Sequence, residues 1–355
     1  MSDDFNVTAS VRPGEALPVE RLAQYLAEQL PEFAGPLTVE QFPAGHSNLT
    51  YLLRAGTMEL VLRRPPFGNQ VKTAHDMGRE FRVLSKLCQV YPPAPCPYVY
   101  CDDEAVIGSP FYLMERRRGL VLRQRLPPGV TIGPDLARRL STALIDNLAL
   151  LHSLDPQKAG LGDLGKPDGY VQRQVGGWSN RYAQARTHDV PAMEQIARWL
   201  NEHLPPESGG AVIHNDYKYD NLVLAPEDLS RIVAVLDWEM ATLGDPLMDL
   251  GTTLGYWVEA GDPEELRQAA MGPTAIPGSL TRGELVERYV AQSGRPVPSA
   301  VFYYCFGLFK IAVIVQQIYA RFVRGHTQDP RFARLDQLVA VLARQADSAL
   351  LADRI

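Results

Sequence analysis

The spacing of apolar residues along the first third of the chain changes from helical to alternating and back. Apolar residues recur at helical spacing over residues 18–30, which predicts an amphipathic helix. Three short β-prone runs follow at residues 37–42, 51–54 and 59–63, separated by glycine-containing turns. Helical spacing then returns over residues 74–89. This order predicts a small antiparallel sheet that contains one inserted helix.

A further pair of strands is predicted at residues 106–115, where Gly108-Ser109-Pro110 would form the turn. After residue 130 the pattern is mainly helical, with two β-like runs inside it at Val212 to Asn215 and Ile232 to Asp237. The predicted helices cover residues 134–154, 191–203, 282–292, 299–324 and 331–351, and Thr281 and Glu284 form the capping box of the third.

These patterns predict an α+β protein with a small β-rich lobe followed by a larger, mainly helical lobe. The predicted boundaries are an N-terminal helical arm at 1–34, an N-lobe at 35–115 and a C-lobe at 116–355. The most apolar stretch, residues 300–315, is interrupted by Lys310 and is short for a membrane span. It is therefore expected to be a buried helix, and no membrane partner is expected.

Composition restricts the class of protein without identifying a function. Hydrophobic residues make up 46% and charged residues 21% of the 355 residues, and the net charge is −6. This is the composition of a globular protein, and a nucleic-acid partner is not expected because a basic excess is absent. The four cysteines match neither a zinc site nor a disulfide framework, and the N-terminus carries no apolar leader. A cytoplasmic location is therefore expected.

Three oxygen-bearing side chains occur at the ends of the two β-like runs. Asp216 and Asn221 belong to the segment His-Asn-Asp-Tyr-Lys-Tyr-Asp-Asn at residues 214–221, and Asp237 follows in Leu-Asp-Trp-Glu. Phosphoryl transfer requires one carboxylate to orient the acceptor hydroxyl and take its proton, and oxygen ligands to hold Mg²⁺ against the phosphates. The pattern predicts Asp216 as catalytic base, with Asn221 and Asp237 as magnesium ligands.

Both segments resemble known kinases. The spacing Asp-x-x-x-x-Asn is similar to the protein-kinase catalytic loop. The residues of the loop more closely resemble those of the aminoglycoside phosphotransferase and choline kinase superfamily. In that superfamily the residue before the catalytic Asp is typically Gly, where this chain has Asn215. Residues 236–251 (Leu-Asp-Trp-Glu-Met-Ala-Thr-Leu-Gly-Asp-Pro-Leu-Met-Asp-Leu-Gly) resemble the kinase-like domains related to those fused to acyl-CoA dehydrogenases. The resemblance covers roughly residues 35–330.

The resemblance implies a bilobal protein-kinase-like fold, ATP and Mg²⁺ as cofactors, and a small molecule with a hydroxyl group as the acceptor. The narrower likeness suggests a hydroxyacyl compound or its CoA thioester. Residues 157–200 and 300–330 are expected to line the acceptor site. The first of these ranges is mildly cationic, which argues against an aminoglycoside or choline acceptor.

Nucleotide-binding roles also follow from the resemblance. Arg63 stands in the place of the phosphate-binding lysine, although Arg64 competes for that role, and Glu80 is expected to pair with it. Lys218 is expected to reach the γ-phosphate. The remaining assignments are a phosphate-covering turn with Gly45, Ser47 and Asn48, and an adenine-binding hinge at Met114, Glu115 and Arg116. The run at residues 116–118 is otherwise expected to be a solvated linker.

Other interpretations stay open. Arginine in place of lysine is compatible with a non-catalytic nucleotide-binding module. An aminoglycoside- or choline-type kinase is a second alternative, and a metal-dependent hydrolase that uses His214, Asp216 and Asp237 is a third. His214 and Asp249 are expected to support the catalytic loop instead. The Gly-x-Gly-x-x-Gly run at 160–165 follows a predicted helix, so it is not a dinucleotide site.

Overall fold

The computed structural model describes residues 8–33, 35–43, 48–67 and 76–355, which form two compact units. The first unit contains the described residues up to Val121 together with Leu222–Ala241, and the second contains Leu122–Asn221 and Thr242–Ile355. The predicted boundary after residue 115 therefore shifts to Val121. The segment Leu222–Ala241, assigned from the sequence to the C-lobe, groups with the first unit, and so does the N-terminal helical arm.

The first unit is built on a five-stranded antiparallel sheet with the strand order β1-β2-β3-β5-β4. Its strands are β1 (Leu37–Gln41), β2 (Leu49–Ala55), β3 (Met58–Arg64), β4 (Pro97–Cys101) and β5 (Phe111–Glu115). Helix α1 (Val19–Gln29) places Leu22 and Leu26 in the core of this sheet with Leu53 and Phe111. The sheet and the helix predicted from residues 18–63 are confirmed.

Two more helices belong to this unit. Helix α2 (Met77–Leu87) packs against β4 and β5, and the side chain of Asp76 caps its first turn. The predicted strand at Val106 is wrong, because α3 (Glu104–Ile107) occupies this place. Asp103 caps α3, and Gly108 ends it in the left-handed conformation at φ 83°. Strand β5 pairs instead with β3 and β4, which both lie earlier in the chain.

A hairpin of β7 (Leu222–Ala225) and β8 (Asp228–Val235) completes the first unit, followed by a 3₁₀ turn at Trp238–Met240. The chain at Leu120 exchanges two backbone hydrogen bonds of 2.8 Å with Leu224. Gly119 permits this approach, since a Cβ there would lie 2.3 Å from the Leu224 carbonyl oxygen.

The second unit is mainly helical and contains one short two-stranded antiparallel ladder. Its elements are α4 (Pro134–His152), α5 (Tyr170–Ala185), α6 (Pro191–Glu202), β6 (Ala211–Ile213), β9 (Thr242–Gly244), α7 (Pro246–Tyr256), α8 (Glu264–Gln268), α9 (Arg282–Ser293), α10 (Ala300–Val323) and α11 (Leu335–Ala352), with 3₁₀ turns at Tyr219–Asn221 and Pro330–Phe332. The capping box of Thr281 and Glu284 is present, and α5 is a helix that the sequence pattern did not predict. The glycine-rich run at 160–165 follows α4, not a strand, as expected.

Helix α10 is the central helix of this unit and packs against α5, α7 and α11. By length and composition alone it is apolar enough to cross a bilayer, but 83% of its most apolar window is buried inside the protein. The backbones of α7 and α10 meet at glycines. A Cβ on Gly307 would lie 2.0 Å from the Gly251 carbonyl oxygen, and one on Gly255 would lie 2.8 Å from the carbonyl carbon of Gly307.

Candidate active site

The loop that carries Asp216 leaves strand β6 and is anchored by a buried carboxylate of α7. Asp249 Oδ2 accepts the backbone N–H of His214 at 2.7 Å, and Oδ1 accepts that of Asn215 at 2.7 Å. His152 Nε2 lies 3.1 Å from the same carboxylate. Burial opposes its negative charge, but the bonds from His152 and the His214 segment prevail and lower the pKa of Asp249. The predicted supporting role of Asp249 is confirmed.

Asn215 adopts a left-handed conformation with φ 68°, which glycine and asparagine accommodate more readily than other residues do. Its side-chain amide lies 3.2 Å from the Tyr170 hydroxyl. The next backbone N–H, that of Asp216, donates to His214 Nδ1 at 3.2 Å. His214 therefore supports the loop, as predicted.

Three side chains donate hydrogen bonds to the carboxylate of Asp216. Lys218 Nζ contacts both oxygens at 2.8 and 2.7 Å, Tyr256 donates its hydroxyl to Oδ1 at 2.8 Å, and Asn221 Nδ2 donates to Oδ2 at 2.9 Å. Burial and the neighbouring Asp216 carboxylate raise the pKa of Tyr256 well above its ordinary value, so this residue stays a donor. The Asp216 side chain nevertheless retains 20% exposure. The sequence did not identify Tyr256.

A pocket adjoins this group of residues in the second unit. Its lining consists of Leu144, Lys218, Tyr219, Asp220, Thr253, Tyr256, Trp257, Met271, Gly272 and Thr274. Burial raises the pKa of Asp220, and its Oδ1 atom has no hydrogen-bond partner among the described residues. No lining residue falls in 157–200 or 300–330, the ranges expected from the sequence. Tyr170, Trp178 and Tyr182 of the first of these ranges are instead buried in helix packing.

The first unit carries a separate cluster of charges around Arg63. Its guanidinium lies 3.1 Å from Glu80 Oε1, 2.8 Å from Asp237 Oδ1 and 3.7 Å from Glu239 Oε2. Burial disfavours the charge on Arg63, but these carboxylates outweigh burial and raise its pKa well above the ordinary value. The predicted pair of Arg63 with Glu80 is confirmed. Arg64 instead donates to the Ile107 carbonyl at 3.1 Å and does not join the cluster.

The segment after Asp237 is held by helix α2 and by Asn48, the residue before strand β2. The Trp238 backbone N–H donates to Glu80 Oε1 at 3.1 Å, and Asn48 Nδ2 donates to Glu239 Oε2 at 2.7 Å. Arg79, which sequence reasoning missed, donates to the carbonyls of Glu239 at 3.2 Å and Ala241 at 2.5 Å. Asp237 itself is left-handed at φ 68°. Residues before and inside α2 therefore set the position of this predicted metal ligand.

The other predicted nucleotide contacts are partly described. Gly45 and Ser47 lie outside the described residues. Met114 and Glu115 end strand β5, and the Glu115 backbone N–H donates to the Cys96 carbonyl at 2.9 Å. Arg116 is not a solvated linker residue, because its buried guanidinium bonds Glu59 at 2.6 Å. Contacts of these residues with adenine or phosphate stay predictions.

Comparison with known proteins places this geometry in a family. The model of the phosphotransferase enzyme family (APH) matches residues 38–281, more than half of the chain. Acyl-CoA dehydrogenase family member 10 of Mus musculus is 34% identical over 344 residues, which are 96% of this chain and 32% of that protein. The chain thus spans about a third of the length of this relative.

Solved structures of other phosphotransferases share the fold of this chain. A crystal structure from Ralstonia eutropha JMP134, provisionally described as an aminoglycoside phosphotransferase, is 33% identical with a TM-score of 0.77, covering 94% of this chain and 99% of that one. The GDP complex of aminoglycoside 2′-phosphotransferase-IIIa shares the fold at 14% identity and a TM-score of 0.59, covering 93% and 99%. The predicted bilobal, kinase-like α+β fold is confirmed. The chain belongs to the phosphotransferase enzyme family.

Proposed function

We propose that this protein is a kinase that transfers the γ-phosphoryl group of ATP to a hydroxyl group of a small molecule. The observation that carries the proposal is the Asp216 carboxylate, which three donors orient while it stays partly exposed beside a pocket. A carboxylate in this position can accept the hydrogen bond of an acceptor hydroxyl and take its proton as phosphoryl transfer proceeds. Tyr256 and Asn221 hold it in one orientation.

The donor chemistry of Asn221 and Asp237 fits Mg²⁺, which prefers oxygen ligands. The Nδ2 group of Asn221 is engaged by the carbonyl and carboxylate oxygens of Asp216, so its amide oxygen is the atom it can offer to a cation. Bound Mg²⁺ would neutralise charge on the phosphate oxygens.

Arg63 is proposed to contact the phosphates. Its Nε atom is buried and has no hydrogen-bond partner among the described residues, so the guanidinium keeps an unsatisfied donor. Planar guanidinium donors match phosphate oxygens well. The related aminoglycoside phosphotransferase with bound GDP supports a nucleotide as the ligand of this fold. Lys218, which now bonds both oxygens of Asp216, is proposed to turn to the γ-phosphate when ATP binds.

The proposed acceptor is a hydroxyacyl compound, free or as a CoA thioester. Support comes from the relative named as an acyl-CoA dehydrogenase family member and from the pocket beside Asp216. Tyr219, Trp257 and Met271 give that pocket apolar walls. Asp220 is the one carboxylate among its described lining residues, whereas a site for a polycationic aminoglycoside would benefit from several.

One observation favours a second candidate, a nucleotide-binding module without catalytic activity. Arg63 lies 2.8 Å from Asp237, so a guanidinium occupies one oxygen of a predicted metal ligand. If this ion pair persists with nucleotide bound, Asp237 does not complete a metal site. Nucleotide binding without turnover is the expected behaviour of such a module.

The experiment that tests the kinase proposal incubates the protein with ATP, Mg²⁺ and a panel of acceptors, and detects phosphorylated product by mass spectrometry. The panel contains hydroxyacyl-CoA thioesters, the corresponding free hydroxy acids, choline and kanamycin. We expect phosphorylation of a hydroxyacyl compound, and a loss of about 10³-fold in kcat in Asp216→Asn, since general bases contribute that order of rate. Turnover of kanamycin alone would reject the acceptor class.

A binding measurement separates the two candidates. Thermal shift with ATP, in the presence and absence of Mg²⁺, reports nucleotide binding independently of the acceptor. Stabilisation that requires Mg²⁺ and disappears in Asp237→Asn supports the kinase. Stabilisation that is indifferent to Mg²⁺, with no product from any acceptor, supports the non-catalytic module.

A further inference from the structure

A lysine is buried in the middle of the central helix of the second unit. Lys310 lies in α10 among apolar residues and is only 2% exposed. No carboxylate lies within ion-pair distance of its ammonium group in the part of the chain that the structure describes. A buried charge without an ionic partner is costly, so its retention calls for a specific explanation.

The ammonium group of Lys310 is directed at the catalytic loop. Nζ donates to the backbone carbonyl of Asn215 at 2.7 Å and lies 3.4 Å from Thr252 Oγ1. The ring of Trp178 lies 5.8 Å away and offers a weaker cation–π contact. The short bond to Asn215 is therefore the main interaction of this cation.

The carbonyl that Lys310 binds belongs to the peptide group joining Asn215 to Asp216. The N–H of the same peptide group donates to His214 Nδ1 at 3.2 Å, so the peptide plane is held at both its oxygen and its hydrogen. Asn215 is left-handed at φ 68°, and such strained residues persist only where their surroundings fix them. The orientation of this plane sets the direction in which the Asp216 side chain leaves the backbone.

We infer that Lys310 is a positioning residue for the catalytic base, whose ammonium group fixes the peptide between Asn215 and Asp216 and thereby aims the Asp216 carboxylate. This inference rests on the proposed role of Asp216. Lys310 does not touch the reacting groups, since it acts through the backbone. The sequence signal for it is a single lysine within the apolar stretch of residues 300–315.

The strength of this support depends on the charge of Lys310. Burial lowers its pKa to about 8; Asp249 of α7 and Asp216 of the loop act to raise it, and Lys218 and Arg181 of α5 act to lower it. A charged donor binds a carbonyl more strongly than a neutral amine does. The support is therefore expected to weaken as the pH rises through about 8.

The test compares Lys310→Met with Gln316→Met. Gln316 lies on the same helix, is also buried, and donates to the Ala185 carbonyl and Thr187 Oγ1 at 3.0 Å, away from the catalytic loop. We expect Lys310→Met to lower kcat about 10- to 100-fold, the worth of one charged hydrogen bond, with the KM for ATP unchanged within about twofold. Gln316→Met is expected to keep kcat within about threefold.

The pH profile separates positioning from a merely structural role. The wild-type kcat divided by the Lys310→Met kcat should be largest below pH 8 and should fall at higher pH. The wild-type kcat divided by the Gln316→Met kcat should not change with pH. Equal losses in both variants, or a ratio for Lys310→Met that does not change with pH, would overturn the inference.

A crystal structure of Lys310→Met decides the inference without reference to activity. We expect the Asn215–Asp216 peptide to rotate and the Asp216 carboxylate to shift. An unchanged loop in the variant rejects the positioning role. If the wild-type protein transfers no phosphoryl group to any acceptor, the proposed function fails, and this structure still decides whether Lys310 orients the loop.

Discussion

Two buried cations, Arg63 in the first unit and Lys310 in the second, have their charges compensated in opposite ways. In the first unit, Arg63 is surrounded by carboxylates, with Glu80 at 3.1 Å and Asp237 at 2.8 Å. In the second, Lys310 binds a backbone carbonyl at 2.7 Å and a hydroxyl at 3.4 Å. The guanidinium is held charged at any physiological pH, whereas the ammonium group titrates at about pH 8.

The charge of Arg63 is thus constant over the physiological pH range, whereas the charge of Lys310 depends on the pH. Arg63 neutralises Glu80, whose side chain is 1% exposed, so its removal leaves a buried carboxylate without its cation. Lys310 has no carboxylate within ion-pair distance among the described residues, and its burial as a charged group is costly. Removal of Arg63 should therefore lower stability as well as remove the proposed phosphate contact, whereas removal of Lys310 should mainly change the geometry of the catalytic loop.

The largest effect is expected when Arg63, the first of the two cations, is replaced. Arg63→Met should lower the free energy of unfolding by about 3–5 kcal/mol, because Glu80 is left buried without its cation. Denaturant unfolding at pH 7 measures it. Arg54→Met is the matched control on strand β2: Arg54 also pairs with two carboxylates but is 31% exposed, so it should cost about 1 kcal/mol or less. Equal losses in the two variants would contradict the comparison.

The second prediction concerns the pH dependence of stability at Lys310. Its pKa falls from 10.5 to about 8 on folding, so the folded state binds fewer protons than the unfolded state between these values. Stability therefore rises with pH in this range. Relative to Lys310→Met, the wild-type protein should gain about 3 kcal/mol between pH 8 and 10.5, at about 1.4 kcal/mol per pKa unit. Urea unfolding across this range measures the gain.

The control for this measurement is Gln316→Met, whose stability difference from the wild type should not change with pH, because no titrating group is removed. A flat difference for Lys310→Met as well would mean that Lys310 keeps an ordinary pKa in the folded protein. In that case Arg63 and Lys310 would not differ in how their charge depends on pH.

The third prediction concerns the orientation of the Asp216 carboxylate. Lys310 acts on its backbone, whereas Tyr256 bonds the carboxylate directly. Tyr256→Phe removes one donor to this carboxylate and should lower kcat about 10-fold, equivalent to 1–2 kcal/mol, with little change in the KM for ATP. Tyr304→Phe is the control, since its hydroxyl bonds Gln345 instead. A kcat for Tyr256→Phe that equals the wild-type value would show that Lys218 and Asn221 suffice to orient Asp216.

The smallest expected effect is at the strained residue that Lys310 supports. Asn215→Gly relieves the left-handed conformation but loses the bond to Tyr170, so unfolding free energy should change by only about 1 kcal/mol or less. Asn215→Val should cost about 2 kcal/mol, because a β-branched residue resists this conformation. Thermal unfolding of both variants tests the order, and a more stable Asn215→Val would refute it.

Sequence reasoning succeeded where chemistry and local pattern coincide. Periodicity predicts α1, α2 and the strands β1 to β3, and the resemblance to kinases implies that Arg63 pairs with Glu80. The turn at Gly108-Ser109-Pro110 is a weaker signal. It predicts a strand pair at residues 106–115, whereas the Asp103 cap and Gly108 enclose a single helical turn at residues 104–107.

The missed site residues depend on contacts between distant positions. Tyr256 lies 40 residues after Asp216 in the chain, and Lys310 is 95 residues from Asn215. Neither stands in a motif, and only the packing of α7 and α10 brings them to the loop. For the same reason the sequence could not show that α5 buries Tyr170, Trp178 and Tyr182 in packing. The lining of the acceptor site by residues 157–200 and 300–330 stays a prediction.

The glycine contacts between α7 and α10 have a mechanical consequence. At Gly251, Gly255 and Gly307 the two helices meet backbone against backbone, with little side-chain volume between them that could deform. Helix α7 carries Tyr256 and helix α10 carries Lys310, so a change in the spacing of these helices changes the positions of both supports of the Asp216 region. A single added methyl group at Gly307 would act as a spacer, because it would lie 2.0 Å from the Gly251 carbonyl oxygen.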